Sequence, residues 1–242
     1  RLSEAESQKE ILLQANKELD KFVYSVSHDL RAPLSSMKGV IEITKDETKD
    51  EFILTNLNLL QGSIKKLDEF IIDILNYSRD ARQETKKQEI NFQEILEDID
   101  ANLQHMQGNN SRHVDLKYEI QNSNACHSDK SKINILLNNL ISNAIRYQNP
   151  KTSNPQVDIQ INVTDIETDI IVKDNGIGIS KENQKKVFEM FYRVTENNVG
   201  TGLGLFLVKE IVDKLKGQIE IESEIGKGTA FIIRLPNNVE HN

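Results

Sequence analysis

Apolar residues in the first forty-odd positions recur at steps of three and four. With heptad position a set on Leu2, Lys9, Asn16, Val23 and Leu30, position d falls on Ala5, Leu12, Leu19 and Val26. The d row is apolar throughout, while the a row carries polar Lys9 and Asn16, the mark of register-setting positions in a parallel coiled coil. The pattern predicts one long helix from Leu2 to about Thr44. An amphipathic helix on a globular core would share part of this spacing, but its persistence over several heptads without a cap favours the coil. A polar turn follows at Thr44–Asp50 (TKDETKD). A second helix is predicted from about Glu51 to Arg79, where Ile53, Leu57, Leu60, Ile64, Leu67, Ile71 and Ile74 alternate steps of four and three. Two helices joined by a short turn form an antiparallel hairpin. One hairpin cannot cover its own seam, but two make a four-helix bundle, so a homodimer is expected.

Ala81–Lys87 (ARQETKK) is polar and lacks either period, which marks a linker between a unit at residues 1–80 and another at 88–242. Past the linker, helical stretches are predicted at Phe92–Gln107, Ser131–Tyr147, Lys181–Tyr192 and Leu203–Leu215. Strand-like runs fall at Val114–Ile120, Val157–Val163, Ile170–Lys173, Gln218–Ser223 and Thr229–Leu235. Without strict βαβ alternation, these elements suggest an α/β sandwich with helices on one face of a mixed sheet, and an α+β chain overall.

Composition narrows the functional classes. The net charge of −8 argues against nonspecific nucleic-acid binding, which needs a basic surface. It leaves a nucleotide open, because glycines and backbone amides act locally. The single cysteine, Cys126, forbids an intrachain disulfide and fits a reducing compartment. His127 stands beside it, yet no further Cys or His lies at ligand spacing, so a metal site is not expected there. No apolar run reaches the roughly 20 residues of a membrane span, and no secretory signal precedes the first helix. The chain opens at Arg1 inside a helical pattern, so it is expected to be the soluble, cytoplasmic portion of something longer.

Four stretches carry candidate chemistry. SVSHDLRAPL (Ser25–Leu34) sets His28 beside Asp29, with Pro33 five residues after the histidine. With Val23 at a, His28 falls at f and points away from the seam. Alone it would read as a surface histidine. Asp29 can accept the Nδ1 proton and leave Nε2 free for attack. Pro33 cannot donate to the Asp29 carbonyl and its ring presses on it, so a bend beside His28 is expected. NNLISNAIRY (Asn138–Tyr147) puts Asn139, Asn143, Arg146 and Tyr147 on one stripe. An amide oxygen suits Mg²⁺, a guanidinium suits phosphate and a tyrosine ring can lie beside a base. Each alone could equally be helix surface.

DNGIGI (Asp174–Ile179) follows a predicted strand directly. Asp174 could accept from the exocyclic amine of adenine, which would select ATP over GTP, while Gly176 and Gly178 allow tight turning and close approach to a ligand. An ordinary β-turn reads the same way in isolation. GTGLGL (Gly200–Leu205) opens a helix, where backbone N–H groups suit phosphate. It is neither a Walker loop nor a dinucleotide fingerprint. The polar TENNV (Thr195–Val199) before it reads as a mobile loop closing on ATP, or as a plain connection.

In order, these pieces resemble the sensor histidine kinases of two-component signalling. SHDLRAPL resembles their H box, NLISNAIRY the N box, DNGIGI the G1 box, FEMFYR (Phe188–Arg193) the F box and GTGLGL the G2 box. GKGTAFIIRLP (Gly226–Pro236) resembles the closing strands of their catalytic domain. The resemblance implies a dimeric phosphotransfer hairpin followed by a Bergerat-type ATP-binding sandwich. It implies His28 as phosphoacceptor with Asp29 as acidic partner, and Asn143 as the Mg²⁺ holder with Asn139 alongside. It further implies Arg146 and Tyr147 at the nucleotide, Asp174 as adenine reader with Gly176 and Gly178 giving it room, Gly200, Gly202 and Gly204 at phosphates and lid, and Arg193 near the lid. The implied partner is a response regulator accepting the phosphoryl group on an aspartate, with an upstream sensor region outside this chain. Many members carry Thr or Asn four residues past the histidine, tied to phosphatase activity. Ala32 stands there, and a methyl cannot orient a water, so weak phosphatase activity is expected. A clamp-type ATPase of the same superfamily would explain the nucleotide boxes but leave His28 unexplained. A non-catalytic scaffold would have no need of Asn143.

Overall fold

The structure, a computed structural model, describes residues 2–82, 86–107, 114–122, 124–194 and 201–237. The chain divides into two units, 1–83 and 84–242.

The first unit is a helical hairpin of α1 (Leu2–Glu47) and α2 (Glu51–Arg82). Pro33 lies inside α1 without ending it. Asp50 starts α2: its Oδ1 accepts the N–H groups of Phe52 (2.9 Å) and Ile53 (3.2 Å), satisfying two of the orphan donors of the first turn. Ser27, Leu34 and Ile41 of α1 are buried at seven-residue spacing, and Ile64, Ile71 and Leu75 of α2 are buried at steps of seven and four. The leucine and isoleucine burials each contribute about 1.5–3 kcal/mol. Lys38 Nζ donates to Asp68 Oδ2 (2.6 Å) and Lys45 Nζ to Gln61 Oε1 (2.9 Å), fixing the register of the two helices.

The seam read from the sequence therefore divides. Leu57, Ile64 and Ile71 pack within the hairpin, while Ile53, Leu60 and Leu67 stand exposed. In α1 the row facing α2 is 27, 34, 41, and the a and d positions Val26, Leu30, Met37 and Val40 are exposed within the single chain.

The second unit begins with a two-residue strand β1 (Gln88–Glu89) and α3 (Phe92–Gln107), then β2 (Asp115–Asn122), a short β3 (His127–Ser128) and α4 (Lys130–Arg146). β4 (Gln156–Val163) and β5 (Glu167–Asp174) form a hairpin. Next come α5 (Lys181–Gln184), a 3₁₀ turn at Lys186–Phe188, α6 (Gly204–Lys214), β6 (Gln218–Glu224) and β7 (Gly228–Pro236). The main sheet has the order β2-β4-β5-β7-β6, parallel at β2–β4 and antiparallel elsewhere. The small β1–β3 pair stands apart.

Alternation assigns the faces. Val157, Ile159, Ile161 and Val163 of β4, Ile170 and Val172 of β5, and Phe231, Ile233 and Leu235 of β7 join the core with Leu136, Leu137, Leu140 and Ile141 of α4 and Val208, Ile211 and Val212 of α6. The intervening residues, such as Asp158, Gln160 and Lys173, stay outside that core. One apolar face under helices and one polar face is the arrangement expected of a largely antiparallel sheet.

One predicted element is corrected. Lys181–Tyr192 is not a helix: four residues of helix and a 3₁₀ turn end in Phe191, whose φ of 64° leaves the helical region. The chain turns there because Phe191 N donates to Gly202 O (3.0 Å), and Gly202 itself holds φ of 74°. No described helix is long and apolar enough to cross a membrane.

Candidate functional site

In the hairpin, His28 projects from α1 with a side chain 74% exposed. Its Nδ1 lies 3.5 Å from Asp29 Oδ1, at the outer limit of a hydrogen bond. Asp29 is equally open, at 77%. The adjacent side chains thus meet, although neighbours on a helix surface ordinarily diverge. Arg31 Nε stands 4.0 Å from Asp68 Oδ1, so the charge following the histidine is drawn toward α2.

In the second unit, the ends of α4, β5 and β6 and the starts of β7 and α6 carry the candidate residues. Asp129 caps α4: its Oδ1 accepts Lys132 N–H (3.2 Å), and its Oδ2 accepts Lys132 Nζ (3.2 Å) and Lys86 N–H (3.1 Å). Burial alone would raise the Asp129 carboxyl, but the bonds from Lys132 and Lys86 outweigh it and hold the group below its ordinary value. α4 then presents Asn139 and Asn143. Asn139 Nδ2 donates to Ile135 O (2.8 Å), which turns its Oδ1 toward Gly204 at the start of α6. A methyl at Gly204 would stand 2.7 Å from that oxygen and 3.7 Å from Asn143 Nδ2.

Asp174 ends β5. Its Oδ1 accepts N–H groups from Gly176 (2.7 Å) and Thr229 (3.2 Å), which fixes the carboxylate and leaves Oδ2 for another donor. Burial raises the carboxyl above its ordinary value, and the two N–H bonds oppose that shift without cancelling it. Asn175 braces the turn, accepting Gln156 N–H (2.9 Å) and donating to Asn154 O (2.8 Å).

The glycines carry a correction. The room at Gly176 and Gly178 is taken by the protein's own backbone: a Cβ at Gly176 would strike Tyr147 O, and one at Gly178 would strike Glu224 O. Gly178 also holds φ of 71°, which L side chains rarely adopt. Gly176 does serve Asp174, since its Cβ would crowd Asp174 Oδ1 at 2.8 Å. Tyr147 enters through its carbonyl, which accepts Ile177 N–H (3.0 Å), and its side chain is half-buried. Arg146, the last residue of α4, is exposed, as is Arg193. Gly202 meets the Phe191 backbone. Gly200 and the TENNV stretch lie outside the described residues.

Sequence reasoning missed Thr229, Ser223, Gln184 and Asn175. Thr229 acts on Asp174 through its backbone N–H, which no residue pattern advertises. Cys126 is buried and accepts from Thr168 Oγ1 (3.4 Å). No cluster of three or more His, Cys, Asp or Glu suited to a metal occurs among the described residues.

The described residues thus present an outward histidine on a helical hairpin and, in the second unit, a fixed carboxylate among glycine turns at the edge of a mixed sheet. Two family models match in the same order: the His Kinase A (phospho-acceptor) domain over residues 18–83, and the histidine kinase-, DNA gyrase B- and HSP90-like ATPase over residues 128–239. The chain belongs to the histidine kinase family. It is 31% identical over 225 residues to the methanogenesis regulatory histidine kinase FilI of Methanothrix harundinacea, covering 91% of this chain and 25% of FilI. It is 32% identical over 223 residues to the sensor protein SrrB of Staphylococcus aureus, covering 89% of this chain and 37% of SrrB. It therefore spans about a quarter to two fifths of the length of these relatives. Full-length ShkA, solved in complex with AMPPNP, shares the fold at TM-score 0.66 and 20% identity, over 89% of this chain and 45% of that one.

Proposed function

We propose that this chain is an ATP-dependent protein histidine kinase that phosphorylates His28 and passes the phosphoryl group to an aspartate of a separate response-regulator receiver domain. The observation that carries it is the Asp174 carboxylate: one oxygen held by two backbone N–H groups, the other without a described partner, in a matched ATPase unit. A half-buried pure acceptor suits the exocyclic amine of adenine and disfavours the carbonyl that guanine presents there.

The remaining residues fit the rest of the nucleotide. Asn143, half-buried beside the first turn of α6, offers a hard amide oxygen, and Asn139 lies one turn before it. With no carboxylate cluster among the described residues, one amide ligand suits Mg²⁺, which is commonly held by few protein groups plus substrate phosphates. Bound there, Mg²⁺ would neutralise phosphate charge. The α6 N-terminus and the exposed Arg146 and Arg193 add positive potential for phosphate, and the half-buried Tyr147 supports a place beside the base.

On the hairpin, Asp29 keeps the proton on His28 Nδ1, so Nε2 carries the lone pair. Nε2 bonds to the γ-phosphorus as the bond from that phosphorus to the β–γ bridging oxygen breaks, and ADP leaves. Asp29 then stabilises the imidazolium. The phosphoryl group later moves from Nε2 to the regulator's carboxylate and restores the neutral ring. Ala32, exposed one turn after His28, offers only a methyl, which supports weak dephosphorylation of the regulator. The exposed rows Ile53–Leu60–Leu67 and Val26–Leu30–Met37 support a homodimer through a four-helix bundle. Dependence on ATP supports a cytoplasmic setting for these two units.

Labelled γ-³²P ATP tests the reading. Acid-labile, base-stable label on the wild type, absent from His28→Gln and Asn143→Ala, is expected. ATP hydrolysis without protein-bound label would instead favour a clamp-type ATPase, and failure to bind ATP with Mg²⁺ a scaffold.

A further inference from the structure

Ser223, near the end of β6, sits outside every motif of the sequence, yet its hydroxyl is saturated. Its Oγ accepts Ile179 N–H (2.7 Å), contacts Gly228 O (2.9 Å) and contacts Thr229 Oγ1 (2.8 Å). A serine hydroxyl has one proton and two lone pairs. The Ile179 N–H can only donate and the Gly228 carbonyl can only accept. The single proton of Ser223 therefore goes to Gly228 O, and Thr229 supplies the proton in the bond between the two hydroxyls.

Two of these partners lie against Asp174, and the third closes the loop that follows it. Ile179 closes the turn that Asp174 opens, and Gln184 Nε2 reinforces it by donating to both Ile179 O (3.0 Å) and Ser223 O (2.8 Å). Gly228 packs on the other side, where a Cβ would strike the Asp174 carbonyl. Thr229 N–H is one of the two donors that hold Asp174 Oδ1.

We infer that Ser223 is a positioning residue for base selection: its hydroxyl clamps the Gly178–Ile179 turn to the Gly228–Thr229 start of β7 and so keeps Asp174 Oδ2 aimed at the adenine amine. Ser223 touches no part of the nucleotide in this account; it acts through Thr229 and Ile179. The inference rests on the reading of Asp174 as the adenine acceptor.

The test compares the affinities of ADP and IDP, which differs by a carbonyl at the position of the amine, by calorimetric titration of the whole chain. The wild type is expected to prefer ADP. Ser223→Ala should narrow that preference by about five- to tenfold, the worth of one net hydrogen bond, with IDP affinity little changed. Ser223→Thr, which keeps the hydroxyl, should restore it. A Ser223→Ala variant that weakens both nucleotides equally, or neither, overturns the inference. If that variant does not fold, Ser223→Cys, close in size but a poor hydrogen-bonding group, must show the same narrowing or the inference fails. Asp174→Asn separates the two levels. If it abolishes the preference while Ser223→Ala leaves it unchanged, only the role of Ser223 falls. If it leaves the preference intact, the adenine reading falls and takes Ser223 with it.

Discussion

Gly204 and Asn139 are in contact across the gap between α6 and α4: a Cβ on Gly204 would lie 2.7 Å from Asn139 Oδ1. The second and fifth of the six quoted sequence boxes are thus held together by the absence of a side chain. Alanine inside a helix ordinarily gains about 1 kcal/mol over glycine. In Gly204→Ala that gain is set against rotating Asn139 and breaking its bond to Ile135 O. Thermal stability is expected to change little, while ATP affinity falls about tenfold. Calorimetry paired with a binding titration checks both, and an unchanged affinity would refute the contact as functional.

Asp174→Asn is expected to lose adenine preference and to raise the melting temperature at neutral pH. The Asp174 carboxyl titrates above its ordinary value because it is buried, so the folded state holds that proton more tightly than the unfolded state. Its favourable contribution is complete below the unfolded value and is lost as pH rises through the folded one. Asparagine keeps an acceptor for Gly176 and Thr229 without the buried charge. Melting curves across the acidic to neutral range should show the variant's advantage growing with pH and then levelling. In the wild type, adenine preference should weaken on acidification, beginning above the ordinary carboxylate range.

Lys132→Met removes the ammonium from a pair whose side chains are 1% and 6% exposed. Breaking a buried pair from one side costs about 3–5 kcal/mol, and the backbone donors that remain on Asp129 place this case at the low end. The folded Asp129 carboxyl lies below its ordinary value, so its stabilisation is present above the unfolded value and lost as pH falls through the folded one. Urea unfolding at several pH values should show a smaller acid-dependent loss in the variant.

Leu60→Glu introduces charge at a side chain 55% exposed in the single chain, between Ile53 at 41% and Leu67 at 43%. The hairpin's own core does not include it, so helicity should persist while the proposed dimer dissociates. Sedimentation measures the mass and circular dichroism the helix content. Ile71→Ala, 2% exposed, should instead cost about 2–5 kcal/mol of stability.

The periodic parts of the fold were legible because local spacing and burial agree. Phe92–Gln107 was read to the residue, and the strands to within a few positions. The Lys181–Tyr192 stretch misled because Val187, Phe188 and Phe191 have helical spacing, while its backbone follows Gly202, some ten residues on. β1 and β3 are two residues each and exist only through pairing with one another, which no local pattern encodes. The α2 seam was visible, but its division into an inner and an outer row depends on where α1 lies. At the candidate site, Asp174 and Asn143 could be singled out from residue type and spacing. The backbone donors of Gly176 and Thr229, and the carbonyls that fill the space beside Gly176 and Gly178, could not.

The carboxylate that begins α4 also grips the amide of Lys86, the residue by which the chain arrives from the hairpin side. The first turn of the helix that bears Asn139 and Asn143 is thus fixed to the backbone that leads into β1. Loss of the Asp129 carboxylate would therefore free two places at once, the start of α4 and the approach to β1.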